Sequence, residues 1–328
     1  MKRRTVITTL GLLAAFGALP NLAIAQADAT GFPSRAVRIV VPYTAGGAGD
    51  LIVRLLAKNL SQEWGQPVIT DNRPGAGGII GTQAVVDAEP DGYTLVFAIT
   101  SLINFPILYP NVPFDPLKDL EPISQLAVSP VAFVVGSESG IDSMPQYIER
   151  VRSSPKGLAY GSFSPGSSSH IYGEQLKSVA KLDLTHVPYR GESALLPDVI
   201  SGTVSGGFVS VASAASMARG GRIRVLGVTG ESRTPALPEV PTMQELGLPG
   251  FEATGWFALL APAGTPKAIV DKISRDVNIA LQAPELQQQT ADLGLEAIGS
   301  TPEEMTNRMR NDFEIWNRLI KTHGIKTS

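Results

Sequence analysis

Thirteen residues, "NRPGAGGIIGTQA" from Asn72 to Ala84, hold four glycines where an apolar run ends and a helix-like run begins. Three other junctions have the same character: "VPYTAGGAGD" (41–50), "FAITSLIN" (97–104) and "YGSFSPGSSSHIYGE" (160–174). The first turn of a helix carries N–H groups with no helical acceptor, and the helix dipole adds positive character there. Such an end favours an anion. Glycine lets a ligand come close to the main chain. The hydroxyls of Thr100, Ser101, Ser162, Ser164, Ser167, Ser168 and Ser169 add donors. Four such loops in one chain point to a site that grips carboxylates without a permanent charge partner.

Competing chemistries fail on spacing. In "GAGGIIG" the third glycine of a dinucleotide fingerprint is replaced by Ile80, and the next strand, "YTLVFAITS", ends without an acid for a ribose. No GxxxxGK[ST] or G-x-S-x-G occurs. Ser162 with His170 is the one pair a serine hydrolase could use; adjacency of Ser169 and His170 is no triad. The chain has no cysteine, which excludes disulfides, thiol catalysis and thiolate metal sites. The three histidines, His170, His186 and His323, lack metal-ligand spacing. A net charge of −3 gives no basic surface for nucleic acid.

The elements that must hold these loops alternate. "VRIVV", "QPVITDN" and "DGYTLVFAIT" read as strands; "DLIVRLLAKNL" and "IIGTQAVVDA" read as helices, with Asp50 favouring its helix's first turn. Such alternation predicts a parallel sheet with right-handed crossovers, and ligands bind such sheets at the carboxyl ends of their strands. The stretch 104–129 is proline-rich and lacks a clear period. A second α/β unit begins near residue 127 with "VAFVVG". After it, "GWFALLAPAGTP" reads as a strand and turn. "PKAIVDKISRDVNIALQ" and "PEEMTNRMRNDFEIWNRLIKTHG" then read as helices, the latter opened by a capping-box-like "TPEE".

At the other end, "MKRRTVITTLGLLAAFGALPNLAIA" has the basic, apolar and small-residue regions of an export signal, with cleavage expected after Ala25. Its apolar stretch is too short and glycine-broken for a membrane span. About 300 residues remain, comfortable for two domains.

The ordered set "VPYTAGGAGDLIVRLLAKNL", "VITDNRPGAGGIIGTQAVVDAEPDGYTL", "YGSFSPGSSSHIYGEQLK", "HVPYRGESALLPDVISGTV" and "GRIRVLGVTGESRTPALPEVPTMQELGLPGFEATGWFALLAPAGTP" resembles the TctC/Bug family across the whole mature chain. These are extracytoplasmic receptors of tripartite tricarboxylate transporters. The resemblance implies an α/β, two-lobed periplasmic binding protein of type II-like form. Each lobe would be a mainly parallel sheet flanked by helices, with a cleft between. Lobe 1 would be 26–126 plus 246–328 and lobe 2 would be 127–245, hinged near 127 and 245. It implies a monomer that is not an enzyme, needs no cofactor or metal, and hands a small carboxylate to a membrane permease pair. A periplasmic sensor feeding a histidine kinase would have the same cleft.

Carried over, the family's first two loops place Tyr43, Thr44, Gly46, Gly47, Ala48, Gly49 and Asp50, with Gly77 and Gly78, around the ligand, largely through main-chain donors. Tyr43 would wall the pocket. Thr100, Ser101, Ser162, Ser167, Ser168 and Ser169 would grip from the facing sides. Arg190 is either the one cationic contact or a surface charge. Asp198 and Arg73 read as helix-face and loop-bracing residues.

Three departures stand out. "GGAGD" has Gly49 where the family often has a hydroxyl, which implies a lost donor and more room. "TSLINF" has Leu102 where a histidine is common. "GGFVSVAS" has neutral Val209 and Ser210 where some relatives carry an acid suited to an amino group. Together they imply a less polar, roomier pocket, and a dicarboxylate or an aromatic carboxylate rather than an amino acid.

Overall fold

The computed structural model describes residues 31–109 and 111–326. The expected export signal, residues 1–25, lies outside the described residues. In chain order the first elements are β1 (Val37–Val41), α1 (Ala48–Trp64), β2 (Val68–Asn72), α2 (Ile79–Val86), β3 (Thr94–Ile99), α3 (Ser101–Leu108) and β4 (Leu120–Ser129). Then come β5 (Val131–Gly136), α4 (Met144–Arg152), β6 (Leu158–Ser162), α5 (Ser168–Val179), β7 (Leu184–Pro188), α6 (Glu192–Ser201), β8 (Gly207–Ser210), α7 (Val211–Arg219) and β9 (Ile223–Val228). The chain closes with β10 (Gly255–Pro262), α8 (Lys267–Leu281), α9 (Pro284–Asp292), β11 (Glu296–Ala297) and α10 (Pro302–His323).

Two sheets result, ordered β11-β4-β10-β3-β1-β2 and β7-β6-β8-β5-β9. Both are mixed, where mainly parallel sheets are expected. β1 pairs parallel with β2 and β3, and β6 parallel with β7 and β8. In the first sheet β10 lies antiparallel between β3 and β4; in the second β5 lies antiparallel between β8 and β9. The cause is topological. A parallel neighbour needs a crossover that turns the chain round. Helix α3 provides one for β3 and β4, and α7 provides one for β8 and β9. β5 and β10 arrive from the other sheet without a helix, so each slots in reversed.

Helix α1 buries one stripe. Its buried residues Ile52, Val53, Leu56 and Leu60 recur at helical spacing and pack with Ile39, Val41 and Phe97 of the sheet. The proline-rich stretch holds α3 and β4, which its sequence conceals. β4 is buried on both faces over Ile123–Ala127 and so shows no alternation. The expected capping box forms: Thr301 Oγ1 accepts from Glu304 N at 3.1 Å, and Glu304 Oε2 accepts from Thr301 N at 2.8 Å.

Helix α10 touches both sheets' layers, lying against β4 and α3 on one side and α5 on the other. Trp316 is fully buried and its ring lies 5.1 Å from Tyr172 of α5. Nearer its start, Asp312 Oδ2 accepts from Trp256 Nε1 at 2.9 Å, and Arg308 Nη2 donates to Thr254 Oγ1 at 2.7 Å. The tail thus fastens the segment that leads into β10.

Candidate functional site

Helices α3 and α5 start at the carboxyl ends of β3 and β6, one from each sheet. Thr100 immediately precedes α3 without a side-chain cap bond, whereas Ser167 caps α5 with φ −73° and ψ 166°, its Oγ accepting from His170 N–H. Gly166 makes the preceding turn at φ +71°, and its N–H donates to His170 Nδ1 at 3.0 Å. Both helix starts face one cleft of about 220 Å³, lined by Thr100, Ser101 and Asn104 on one side and Ser167 and Ser168 on the other. The aromatic residues Phe163, Trp256, Phe257 and Trp316 complete much of its wall. Thr100 Oγ1 accepts from Trp256 N at 2.7 Å, which leaves its own proton for an acceptor in the cleft. The first-turn N–H groups of Ser101 and Ser168 have no helical acceptor. Two positive helix ends from opposite sheets can therefore meet one anion.

Tyr43 draws the first three loops together. Its phenol lies beside the Ser101 side chain, and a Cβ on Gly78 would come within 3.3 Å of its oxygen. Its ring sits edge-on to Phe97 with centroids 6.2 Å apart. Burial pushes the phenol up to about 12, against the Ser101 hydrogen bond.

Several expected ligand donors are used by the protein itself. Gly46 N–H donates to Asp50 Oδ2 at 2.9 Å. Asp50 is buried and also takes Arg54 Nε and Asn72 Nδ2, each at 2.9 Å, so it braces the loop and does not face the cleft. Burial raises its carboxyl, but these hydrogen bonds prevail and hold it below the usual aspartate range. Gly78 N–H donates to Gly75 O at 2.9 Å. Gly49 yields its space to a neighbour, not to a ligand: a Cβ there would lie 2.5 Å from the Phe97 ring. Thr44, Gly47 and Gly77 are exposed and Ala48 is half-buried; with Gly46 and Gly49 they stand outside the cleft's lining.

In the second sheet, Ser169 is buried and its Oγ donates to Phe208 O at 2.6 Å, tying α5 to β8. Arg190 is exposed and does not line the cleft. Arg73 and Asp198 take the expected bracing places, 2.7 Å from Asp71 and 2.6 Å from the Tyr189 hydroxyl. Ser162 is fully buried and lies 2.7 Å from His186 Nε2, not against His170. A sealed hydroxyl cannot serve as a nucleophile. His186 stacks on His170 with centroids 3.8 Å apart. Burial, then the neighbouring His170, lower His186 from 6.5 to about 4.

The sign of the consequence is fixed. The unfolded chain binds the His186 proton first, so stability is lost as pH falls from 6.5 towards 4. His186→Gln is expected to flatten that part of the melting-temperature profile. Parallel profiles for the two proteins would refute the assignment.

Most of the lining escaped the sequence, which named only Thr100, Ser101, Ser167 and Ser168 of it as ligand contacts. Asn104 is 4 % exposed and Trp316 0 %, yet Asn104 Oδ1 and Trp316 Nε1 have no hydrogen-bond partner. Glu192 and Ser210 also line the cleft. Glu192 accepts from Ser210 N–H, from Ser210 Oγ at 2.8 Å and from Ser213 Oγ. The neighbourhood of Ser210 is thus not neutral as expected, because α6 supplies an acid from a distance in sequence. Its carboxylate fills the N-terminus of α7. The signal for Asn104 was a lone amide within the apolar "SLINFPIL"; Trp316 gave none beyond a helical stripe.

A larger recess of about 630 Å³ lies elsewhere, lined by Thr229, Arg233, Arg308 and Asp312 among others. It contains none of the loop residues and no converging helix starts, so the smaller cleft is the candidate site. Among the described residues no cluster of acids and histidines could hold a metal, and no helix is long and apolar enough to cross a membrane.

Comparison with known proteins gives a consistent picture. The family model described as "Tripartite tricarboxylate transporter family receptor" (TctC) matches residues 52–325. Protein BugT of Bordetella pertussis is 32 % identical over 321 residues, covering 97 % of this chain and 98 % of BugT. The structure of Rpa4515 of R. palustris with adipate has a TM-score of 0.78 at 32 % identity, covering 90 % of this chain and 99 % of that one. MatC (Rpa3494) from Rhodopseudomonas palustris with bound malate has a TM-score of 0.72 at 29 % identity, covering 88 % and 100 %.

Proposed function

This chain belongs to the tripartite tricarboxylate transporter receptor family, a family of periplasmic solute-binding proteins and not of enzymes, and we propose that it captures a small carboxylate between α3 and α5. The observation that carries the proposal is the meeting of two helix N-termini, from two different sheets, on one cleft. Thr100, Ser101, Ser167 and Ser168 supply the donors. Tyr43 holds the neighbouring loops in place.

The lobes of this reading are 26–126 with 246–328, and 127–245, in the mature protein that begins after Ala25. They hinge where the chain passes between the sheets. A carboxylate that touches both lobes binds the closed form better and shifts the population towards it. Closure removes water, and charge-assisted N–H bonds strengthen in the lower dielectric. The closed form then delivers the solute to a permease in the membrane. Adipate and malate in the relatives favour a dicarboxylate. The aromatic wall of this cleft favours an aromatic carboxylate as the second candidate.

A thermal-shift screen with mono-, di- and tricarboxylates, aromatic acids and amino acids tests the proposal. A ligand that binds only the folded form adds about 2.7 kcal/mol of stability at a hundredfold excess over Kd, and so raises the melting temperature. A carboxylate hit recovered unaltered by mass spectrometry is the expected result. Amino acids winning over every simple carboxylate would sink the proposal.

A further inference from the structure

We infer that His170 is a positioning residue for the bound acid: its neutral imidazole fixes the turn that aims the start of α5 at the cleft, and uptake of a proton there releases the acid. This rests on the carboxylate reading of the same cleft. Gly166, Ser167 and Ser168 line the cleft, and His170 stands behind them. The Gly166 N–H donates to His170 Nδ1 at 3.0 Å. A backbone N–H can only donate, so Nδ1 must accept and carries no proton; the proton of the neutral ring sits on Nε2. An imidazolium carries a hydrogen on Nδ1 as well, and two donors cannot face each other across that gap. Gly166 is buried, so losing this acceptor strands its N–H.

The other end of the same loop rests on a second imidazole. His186 Nε2 lies 2.7 Å from Ser162 Oγ, and the two rings stack with centroids 3.8 Å apart, 8° from parallel. One stacked pair therefore holds the loop 162–167 at both ends. Like charges at so short a spacing repel, so the pair takes up its protons one at a time. Burial lowers His170 below its ordinary 6.5, against the pull of Glu174 on the same helix. His186 is held at about 4, with the charge of His170 among the causes, so His170 takes the first proton. The charges around the pair are otherwise engaged. Glu174 accepts from the Tyr160 hydroxyl of β6 at 2.8 Å and pairs with Lys177 at 3.5 Å. Helix α10 brings His323, bonded to Gln175 at 2.9 Å, and Asp312 and Arg308, which act on Tyr172. Strand β8 brings no titratable group. The ring is thus neutral above 6.5, where affinity is full, and affinity is lost as pH falls through the folded value below 6.5. With the turn unpinned, fewer molecules present the donors of Ser167 and Ser168, and the apparent affinity falls by that fraction.

The test is calorimetric titration of the purified protein with succinate, malate, adipate, citrate and benzoate, from about pH 7.5 to about pH 5, where His186 stays neutral. His170→Asn puts an amide oxygen near the place of Nδ1, which accepts from Gly166 and takes up no proton. It is expected to bind within about twofold of the wild type at about pH 7.5, and to lack the extra loss, approaching about tenfold, that the wild type shows at about pH 5. Titration of the acid itself is common to both proteins and cancels in the ratio. His170→Phe keeps a stacked ring without an acceptor and is expected to bind about tenfold more weakly at about pH 7.5. If the phenylalanine variant does not fold, the asparagine variant alone decides. Proton NMR gives an independent readout, because the chain has only three histidines. By reciprocity the bound acid is expected to lower the pH at which His170 titrates. Equal profiles for the wild type and His170→Asn, or an acid that raises the His170 titration, would overturn the role of His170 and leave the carboxylate site standing. Failure of every acid to bind at about pH 7.5 would overturn the carboxylate reading itself.

Discussion

Ser168→Pro is expected to weaken carboxylate binding by about a hundredfold without unfolding the protein. Ser168 is the first residue of α5, a position where proline is well tolerated because the missing N–H has no helical acceptor. Proline also restricts the residue before it to extended backbone. Ser167 already has φ −73° and ψ 166°, so it need not move. The substitution therefore deletes one main-chain donor and one hydroxyl from the cleft. Hydrogen bonds to a charged group contribute about 1.5–3 kcal/mol each, and two of them make a hundredfold loss the moderate expectation. Titration with the best acid from the screen reads the loss, and urea unfolding reads the fold. Unchanged affinity would show that the α5 start does not touch the ligand. The same exchange at Ser101 is a poorer probe, because Thr100 sits at φ −48° and ψ −30°, which a following proline disfavours.

The second large effect concerns stability. Asp312→Leu is expected to cost about 3 kcal/mol, because it strands the fully buried Trp256 indole N–H and leaves Arg308 without its carboxylate. Asp312→Asn keeps an acceptor for Trp256 and is expected to cost much less. The two variants also differ from the wild type in their response to pH. Burial raises the Asp312 carboxyl above its ordinary 3.8, against the pull of Arg308 and Trp256. The unfolded chain then releases this proton first, so stability falls as pH rises from 3.8 to the folded value. Asp312→Asn removes that fall. Urea midpoints measured at fixed slope across the acid range decide the matter. Equal costs for the leucine and asparagine variants would mean that the hydrogen bond to Trp256 contributes nothing.

Part of the candidate site was legible, where the signal is local. A strand end followed by Thr100-Ser101, or by the serines up to Ser168, announces an exposed helix start, and the cleft lies there. Individual partners were not legible. Nothing local tells that Gly46 donates to Asp50, that Phe97 fills the space beside Gly49, or that Ser169 points to Phe208. Those are contacts between elements. The places of Asn104 and Trp316 in the lining were hidden for a different reason: inside apolar helical stripes they read as core. The mixed sheets were hidden too, since alternation of strands and helices does not reveal where a strand from the other sheet inserts.

That insertion has a consequence in time. A ribosome adds residues in order, and by residue 228 it has supplied every strand of the second sheet. The first sheet is then still in two unconnected pieces, because β3 and β4 do not bond to each other and the strand that joins them, β10, begins at Gly255. The half of the protein that starts first is therefore the half that must wait for nearly the last of the chain. Until β10 arrives there is no floor of Trp256 and Phe257 between the two helix starts, and so no cleft in which an acid could be held.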